Sequence, residues 1–296
     1  MVKPTIIITG KNGQLGWELQ QLQESYNKEF EFIFADKEEL DLSNPDSIPA
    51  YIQQHKPSYF INCGAYTLVD KAETEQELTY KINAESVGVI AKECSAINCK
   101  LITISTDYVF AGDGKDPYKP EQPTNPINYY GYSKWLGEKL ALENNPNTII
   151  VRTSWVYSFH GNNFVKTMLR LMKEREELKV VADQVGGPTY AADLAQALMQ
   201  IVVSLENGNS HTSGIYHYSN EGIISWFDFA TAIAELSGST CKVLPITTDA
   251  YPTPAKRPAY SVMDKQSIQD DFRIELKNWK DSLKVCLDKL ETQSQK

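Results

Sequence analysis

The sequence predicts an α/β fold: a doubly wound parallel sheet joined by a smaller mixed α/β lobe. Three observations predict it. Short runs rich in Ile and Val alternate with helix-like stretches through the first half, as strands covered on both faces require. The first run feeds a glycine turn and then a helix-like segment, the order found where such sheets bind ligands. After about Ser154 the alternation loosens into helices, short strands and proline-rich turns.

The elements follow in order. Strands are expected at Thr5–Thr9, Glu31–Ala35, Tyr59–Cys63, Leu101–Ser105 and Thr148–Arg152. Helices are expected at Gln14–Gln23, Pro45–His55, Ser86–Ile97 and Tyr130–Glu143, the second opened by Ser43-Asn44-Pro45, a cap-like pair before a first-turn proline. Later helices are expected at Asn163–Arg175, Ala191–Ser204, Ser225–Leu236 and Asn278–Leu290, with Thr292–Lys296 as a polar tail. Residues 1–154 thus form a dinucleotide-binding domain, completed by part of 185–220, and 155–296 form mainly a substrate lobe.

Composition excludes several function classes. The net charge is −9 over 296 residues and no Lys/Arg-rich block occurs, which argues against nucleic acid and anionic membranes as partners. No uncharged apolar run approaches ~20 residues, so no bilayer span is expected. The five cysteines lack C-x-x-C spacing and read as reduced thiols of a cytoplasmic protein, and no leader-like segment precedes Thr5. The four histidines lack metal-ligand spacing, and no metal site is expected.

Two motifs carry the chemistry. Gly10-Lys11-Asn12-Gly13-Gln14-Leu15-Gly16 has the spacing G-x-x-G-x-x-G; its glycines permit a tight turn while the next helix presents free N–H groups to a diphosphate. Asp36, at the end of the second strand, suits the adenosine ribose hydroxyls and so favours NADH; Lys37 suits a 2′-phosphate, and both NADPH and NADH stay open. Asp41 and Leu42 are placed to flank the adenine.

The second motif is Tyr130-Gly131-Tyr132-Ser133-Lys134. Sixteen tyrosines should give roughly one Tyr-x-x-x-Lys by chance. The single instance here opens the helix after the fourth strand, with Tyr130 and Lys134 on one face. Carbonyl reduction needs a hydride donor and a proton for the nascent alkoxide. Tyr130 is assigned as proton donor, Lys134 as the cation that lowers its pKa and anchors the ribose, and Thr106, just past the fourth strand, as a second hydroxyl on the substrate oxygen.

With these residues in view, the chain resembles the extended short-chain dehydrogenases/reductases, and most closely the dTDP-4-dehydrorhamnose reductase family. The resemblance spans nearly the whole chain through Gly10–Glu18, Asn62–Glu73, Ser105–Phe110, Tyr130–Glu138, Arg152–Tyr157, Gly161–Met168, Gly186–Thr189 and Tyr251–Pro258. It implies a Rossmann sheet and reduction of the C4 ketone of a dTDP-4-keto-6-deoxy-L-sugar by NADPH or NADH. It implies that Thr106, Tyr130 and Lys134 are catalytic, that Gln14 and Leu15 lie over the pyrophosphate, and that Asn62, Cys63, Gly64, Ala65 and Tyr66 line the cofactor. On the nucleotide-sugar side it implies Thr67, Val69, Asp70, Thr106, Asp107, Tyr108, Trp155, Asn163 and Arg257. An aromatic face suits the apolar side of a pyranose, and a guanidinium suits a diphosphate.

Some members are described as dimers bridged by a divalent metal such as Mg2+ on acidic side chains. Glu18 matches one such position, but Tyr190-Ala191-Ala192 stands where another acidic ligand is expected. A metal-bridged dimer is therefore not expected; Glu18 is placed as a helix-surface carboxylate, and a homodimer of another kind stays open. Two other functions also stay open: a nucleotide-sugar epimerase or dehydratase of the same fold, and a non-catalytic NADP-binding regulatory subunit.

Overall fold

Ile6 and Ile8 of the first strand bury into one core layer and Ile7 into another. Successive side chains on a strand point to opposite faces, so an unbroken apolar run marks a strand covered on both sides. The computed structural model describes residues 2–211 and 213–294. Its main sheet is built from β1 (Thr5–Thr9), β2 (Glu31–Ala35), β3 (Tyr59–Asn62), β4 (Lys100–Thr106), β5 (Ile149–Thr153) and a later strand, Gly214–Tyr218. All six are parallel, in the order β2-β1-β3-β4-β5 with Gly214–Tyr218 beside β5.

The connections in this half are α1 (Gln14–Tyr26), α2 (Ile48–His55), the short α3 (Val69–Ala72) and α4 (Gln76–Tyr80), α5 (Ser86–Ala96) and α6 (Tyr129–Asn144). α2 (Ile48, Ile52) and α5 (Val87, Ile90, Cys94) cover one face over Ile7, Phe60 and Leu101. On the other, α1 (Leu15, Leu19) lies over Ile6, Ile61 and Val151. Each such fully buried side chain contributes about 1.5–3 kcal/mol.

The remainder comprises β6 (Val156–Tyr157), α7 (Phe164–Glu174), β7 (Glu177–Val181), β8 (Val185–Gly186), β9 (Thr189–Tyr190), α8 (Ala191–Glu206), β10 (Gly214–Tyr218), β11 (Ile224–Ser225), α9 (Trp226–Leu236), β12 (Lys242–Ile246), α10 (Gln266–Phe272) and α11 (Trp279–Ser294). β6 pairs with β9 and β7 with β12 in parallel, and β8 pairs with β11 antiparallel. α7, α9 and α11 enclose a second core around Tyr157, Phe229, Ile233 and Leu283.

The structure departs from the sequence expectations in three places. α3, α4 and a π turn at 81–85 fill a stretch to which no element is assigned from the sequence. α8 and β10 join the main sheet from within the part of 185–220 expected to complete the first domain, but α10, from beyond that part, packs there too. α11 continues to Ser294 where a polar tail from Thr292 was expected; residues 295 and 296 of that tail lie outside the described residues. Among the described residues, no helix is long and apolar enough to cross a membrane.

One buried ion pair ties α6 to β5. Arg152 Nε and Nη2 donate to Glu138 Oε1 and Oε2 at 2.8 and 2.7 Å, and Nη1 donates to the Pro120 carbonyl at 3.1 Å. The guanidinium lies over the Phe110 ring at 5.0 Å. Beside it, burial and the guanidinium push His217 down to about 3, so the imidazole is neutral. It donates from Nδ1 to the Asp264 carbonyl at 3.1 Å and offers Nε2 to Arg152 at 3.4 Å. Removing one partner strands the other charge, so Arg152→Met is expected to cost about 3–5 kcal/mol in urea unfolding. A loss below about 1 kcal/mol would show that the pair does not hold α6 in place.

Candidate functional site

The site is built at the carboxyl ends of the strands, where the order reverses between β1 and β3. Gly10 leaves β1 with φ +70°, and a Cβ there would lie 2.9 Å from the Gly64 nitrogen. A Cβ on Gly16 would lie 2.1 Å from the Gly10 carbonyl oxygen. Only glycine allows both approaches. α1 starts at Gln14 without a side-chain cap, which leaves its first-turn N–H groups as donors. This donor set fits a dinucleotide diphosphate.

Asp36 stands beside the turn, its carboxylate accepting from the Asn12 and Lys37 N–H groups at 3.0 and 2.8 Å. Lys11 pairs with Glu39. Asp41 accepts from the N–H and hydroxyl of Ser43, and the buried Leu42 packs over Gly64. A chain of hydrogen bonds then crosses the strand ends: Gly64 N–H to Thr9 Oγ1 at 3.2 Å, Thr9 to Asn62 Oδ1 at 2.7 Å, and Asn62 Nδ2 to Thr103 Oγ1 at 3.2 Å.

Ala65 and Tyr66 continue that wall. Tyr66 is held through both backbone groups by Asn83, whose Nδ2 also donates to Ser133 Oγ at 3.0 Å on α6. The π turn carries Asn83 between the loop and the helix. Nothing in the run Lys81-Ile82-Asn83-Ala84 marks it as functional, and sequence reasoning missed it.

Thr106, Tyr130 and Lys134 come together here. β4 ends at Thr106, whose hydroxyl donates to Asp107 Oδ1 at 3.0 Å and accepts from the Tyr108 N–H at 3.2 Å. α6 begins behind an Asn128 cap, with the Gly131 N–H on Asn128 Oδ1 at 2.8 Å. Gly131 lets the helix close onto β4, since a Cβ would sit 2.1 Å from the Tyr108 oxygen. Tyr130 is thereby brought beside Thr106, whose hydroxyl favours its phenolate. Lys134 donates to the Ile104 carbonyl at 2.7 Å, and this bond, rather than one to Tyr130, anchors the ammonium.

Burial sets the protonation states. It raises the Tyr130 hydroxyl up to about 12, against the Thr106 hydrogen bond, and lowers Lys134 to about 8 despite nearby Glu138. Burial also pushes the Asp107 carboxyl up to about 7, opposed by its hydrogen bonds. A phenol that stays protonated at neutral pH, beside a second hydroxyl and a buried cation, can protonate an alkoxide.

The Tyr108 ring meets Tyr130 edge-on at 5.7 Å and faces a cleft of about 810 Å³. Asp70 and Arg257, 3.0 Å apart, stand on its wall with Trp226, Phe164, Arg175 and Lys179. Such a cleft is sized for one nucleotide-scale ligand.

Several expected residues lie elsewhere. Thr67 is exposed, Val69 starts α3, and neither lines the cleft. Trp155, at φ +48°, stacks on Trp226 with centroids 3.6 Å apart, and Trp226 is the indole on the cleft wall. Asn163 caps α7 and donates to Gln14 Oε1 at 2.9 Å, which puts it beside the glycine turn, with Phe164 next to it on the cleft wall. Glu18 is not a surface carboxylate: it is 3 % exposed and accepts from Ser158 Oγ at 2.6 Å, because the second lobe folds over that face of α1. An aromatic directly after the helix-start serine, Ser225-Trp226, was the available signal for the missed indole.

The family described as RmlD substrate binding domain matches residues 4–292. A dTDP-4-dehydrorhamnose reductase of Aggregatibacter actinomycetemcomitans is 43 % identical over 285 residues, covering 94 % of this chain and 97 % of that protein. Two crystal structures of dTDP-4-dehydrorhamnose reductases superimpose with TM-scores of 0.91. That from Clostridium acetobutylicum is 41 % identical and covers 97 % of this chain and 99 % of its own. That from Bacillus anthracis, in complex with NADP, is 40 % identical and covers 97 % and 100 %. The chain belongs to the dTDP-4-dehydrorhamnose reductase family.

Proposed function

We propose that this chain reduces the C4 ketone of dTDP-4-dehydro-β-L-rhamnose to the alcohol of dTDP-L-rhamnose, with NADPH or NADH as reductant. The reading is supported by Thr106, Tyr130 and Lys134 gathering at the end of β4, with Tyr108 joining Tyr130 to the cleft. Bound reduced nicotinamide supplies a hydride to the C4 carbon. Tyr130 gives its hydroxyl proton to the oxygen that becomes anionic, and Thr106 donates a hydrogen bond to the same oxygen, orienting the ketone. Lys134, charged below about pH 8, favours the transient phenolate and holds the cofactor ribose. On the cleft wall, Arg257 takes the substrate diphosphate and Trp226 offers its face to apolar ligand surface.

The deciding experiment follows oxidation of added NADPH or NADH by the chain with the dTDP-4-keto sugar, identifying the product by mass and NMR. An epimerase or dehydratase would turn over without added reductant, and a regulatory subunit would bind NADPH and oxidise none. Tyr130→Phe keeps the ring and removes the proton, so turnover should fall about 10²-fold while cofactor affinity holds; near-normal turnover would remove Tyr130 from the chemistry. Asp36→Ala should shift preference from NADH toward NADPH by about threefold to tenfold, and an unchanged ratio would place the ribose elsewhere. Because Lys134 is charged below its pKa and neutral above it, turnover should fall as pH rises through about 8. A rate flat across that region would exclude a role for its charge.

A further inference from the structure

The segment from β6 to the start of α7 crosses from the second lobe onto the glycine turn. His160 Nε2 lies 3.0 Å from the Asn12 carbonyl oxygen. A carbonyl only accepts, so Nε2 carries the hydrogen. The Asn12 N–H points to Asp36 Oδ2 at 3.0 Å, so Asn12 is held through both of its backbone groups. The imidazole is itself fixed. Its ring stacks on Trp17, with centroids 5.0 Å apart and planes 10° apart, and its backbone N–H donates to Ser158 Oγ at 3.0 Å. Ser158 in turn donates to the buried Glu18 of α1 at 2.6 Å.

We infer that His160 is a positioning residue for the cofactor: by donating to the Asn12 carbonyl it fixes the turn between Gly10 and Gly13 in the shape that receives a dinucleotide diphosphate. The inference rests on the reductase reading for the class of cofactor. A turn of this kind binds through backbone groups, and those bind tightly only if their orientation is set beforehand; otherwise ordering the loop is subtracted from the binding free energy. Asp36 fixes one side of Asn12 from the first lobe, and His160 fixes the other from the second. His160 needs no contact with the diphosphate.

The test compares His160→Ala and His160→Gln with the unaltered chain, titrating NADP+ (or NAD+, if the unaltered chain binds that alone) and, separately, dTDP by calorimetry. Loss of one hydrogen bond to the turn should weaken NADP+ by about threefold to tenfold in His160→Ala and leave dTDP within about twofold. His160→Gln, which offers an amide N–H, should recover most of the NADP+ affinity. Unchanged NADP+ affinity in His160→Ala overturns the inference. Equal weakening of NADP+ and dTDP without recovery in His160→Gln also overturns it, since that marks general loosening. An unaltered chain that binds neither NADP+ nor NAD+ overturns the reductase reading, and the inference with it.

Discussion

The close backbone approach at the glycine turn is the constraint on which the other features depend. Gly10 comes so near Gly64, and Gly16 so near Gly10, that side chains at either point would collide with main chain. Because that contact is backbone on backbone, it sets where α1 starts relative to β1 and β3, and therefore where the crevice between them opens. Leu42 closes over Gly64 from one side, and the Val156–Asn163 segment closes over Gln14 from the other.

A second constraint holds the reacting groups. α6 is pinned at its start by Asn128 and Gly131, in its middle by Lys134 on the Ile104 carbonyl and Ser133 on Asn83, and a turn later by Glu138 on Arg152. Five fixed points along three turns leave Tyr130 little freedom beside Thr106, which is what a proton transfer over hydrogen-bond distance requires. Burial acts on the same groups in opposite senses, raising the phenol and lowering the ammonium. The cleft side is looser in composition, with Asp70 of α3 meeting Arg257 of the loop after β12.

Much of the first half was legible because its signals are local. β1 and β2 fall on the expected residues, since each is an isolated apolar run bounded by turn residues. Tyr130 and Lys134 fall on one helix as expected, because their spacing is itself a helix property. What failed was long-range. Glu18 reads as a surface residue in a polar stretch of α1, and only Ser158, 140 residues away, makes it buried. Asn163 and Trp155 meet Gln14 and Trp226, partners from elements no local pattern joins. The α4 stretch, Gln76-Glu77-Leu78-Thr79-Tyr80, has too few apolar positions to show a helical period.

β10 lies on the outer side of β5, yet sixty residues separate them along the chain, and α10, further on still, packs on the same layer. During synthesis the β5 edge therefore stays uncovered until Gly214–Tyr218 has been made, and the layer over Ile6 and Val151 stays open until Ile268 and Phe272 arrive. An unpaired parallel edge and an unclosed apolar layer are the features that invite association with other nascent chains. The interleaving that locks the two lobes together thus delays completion of the first one until nearly the whole polypeptide has emerged.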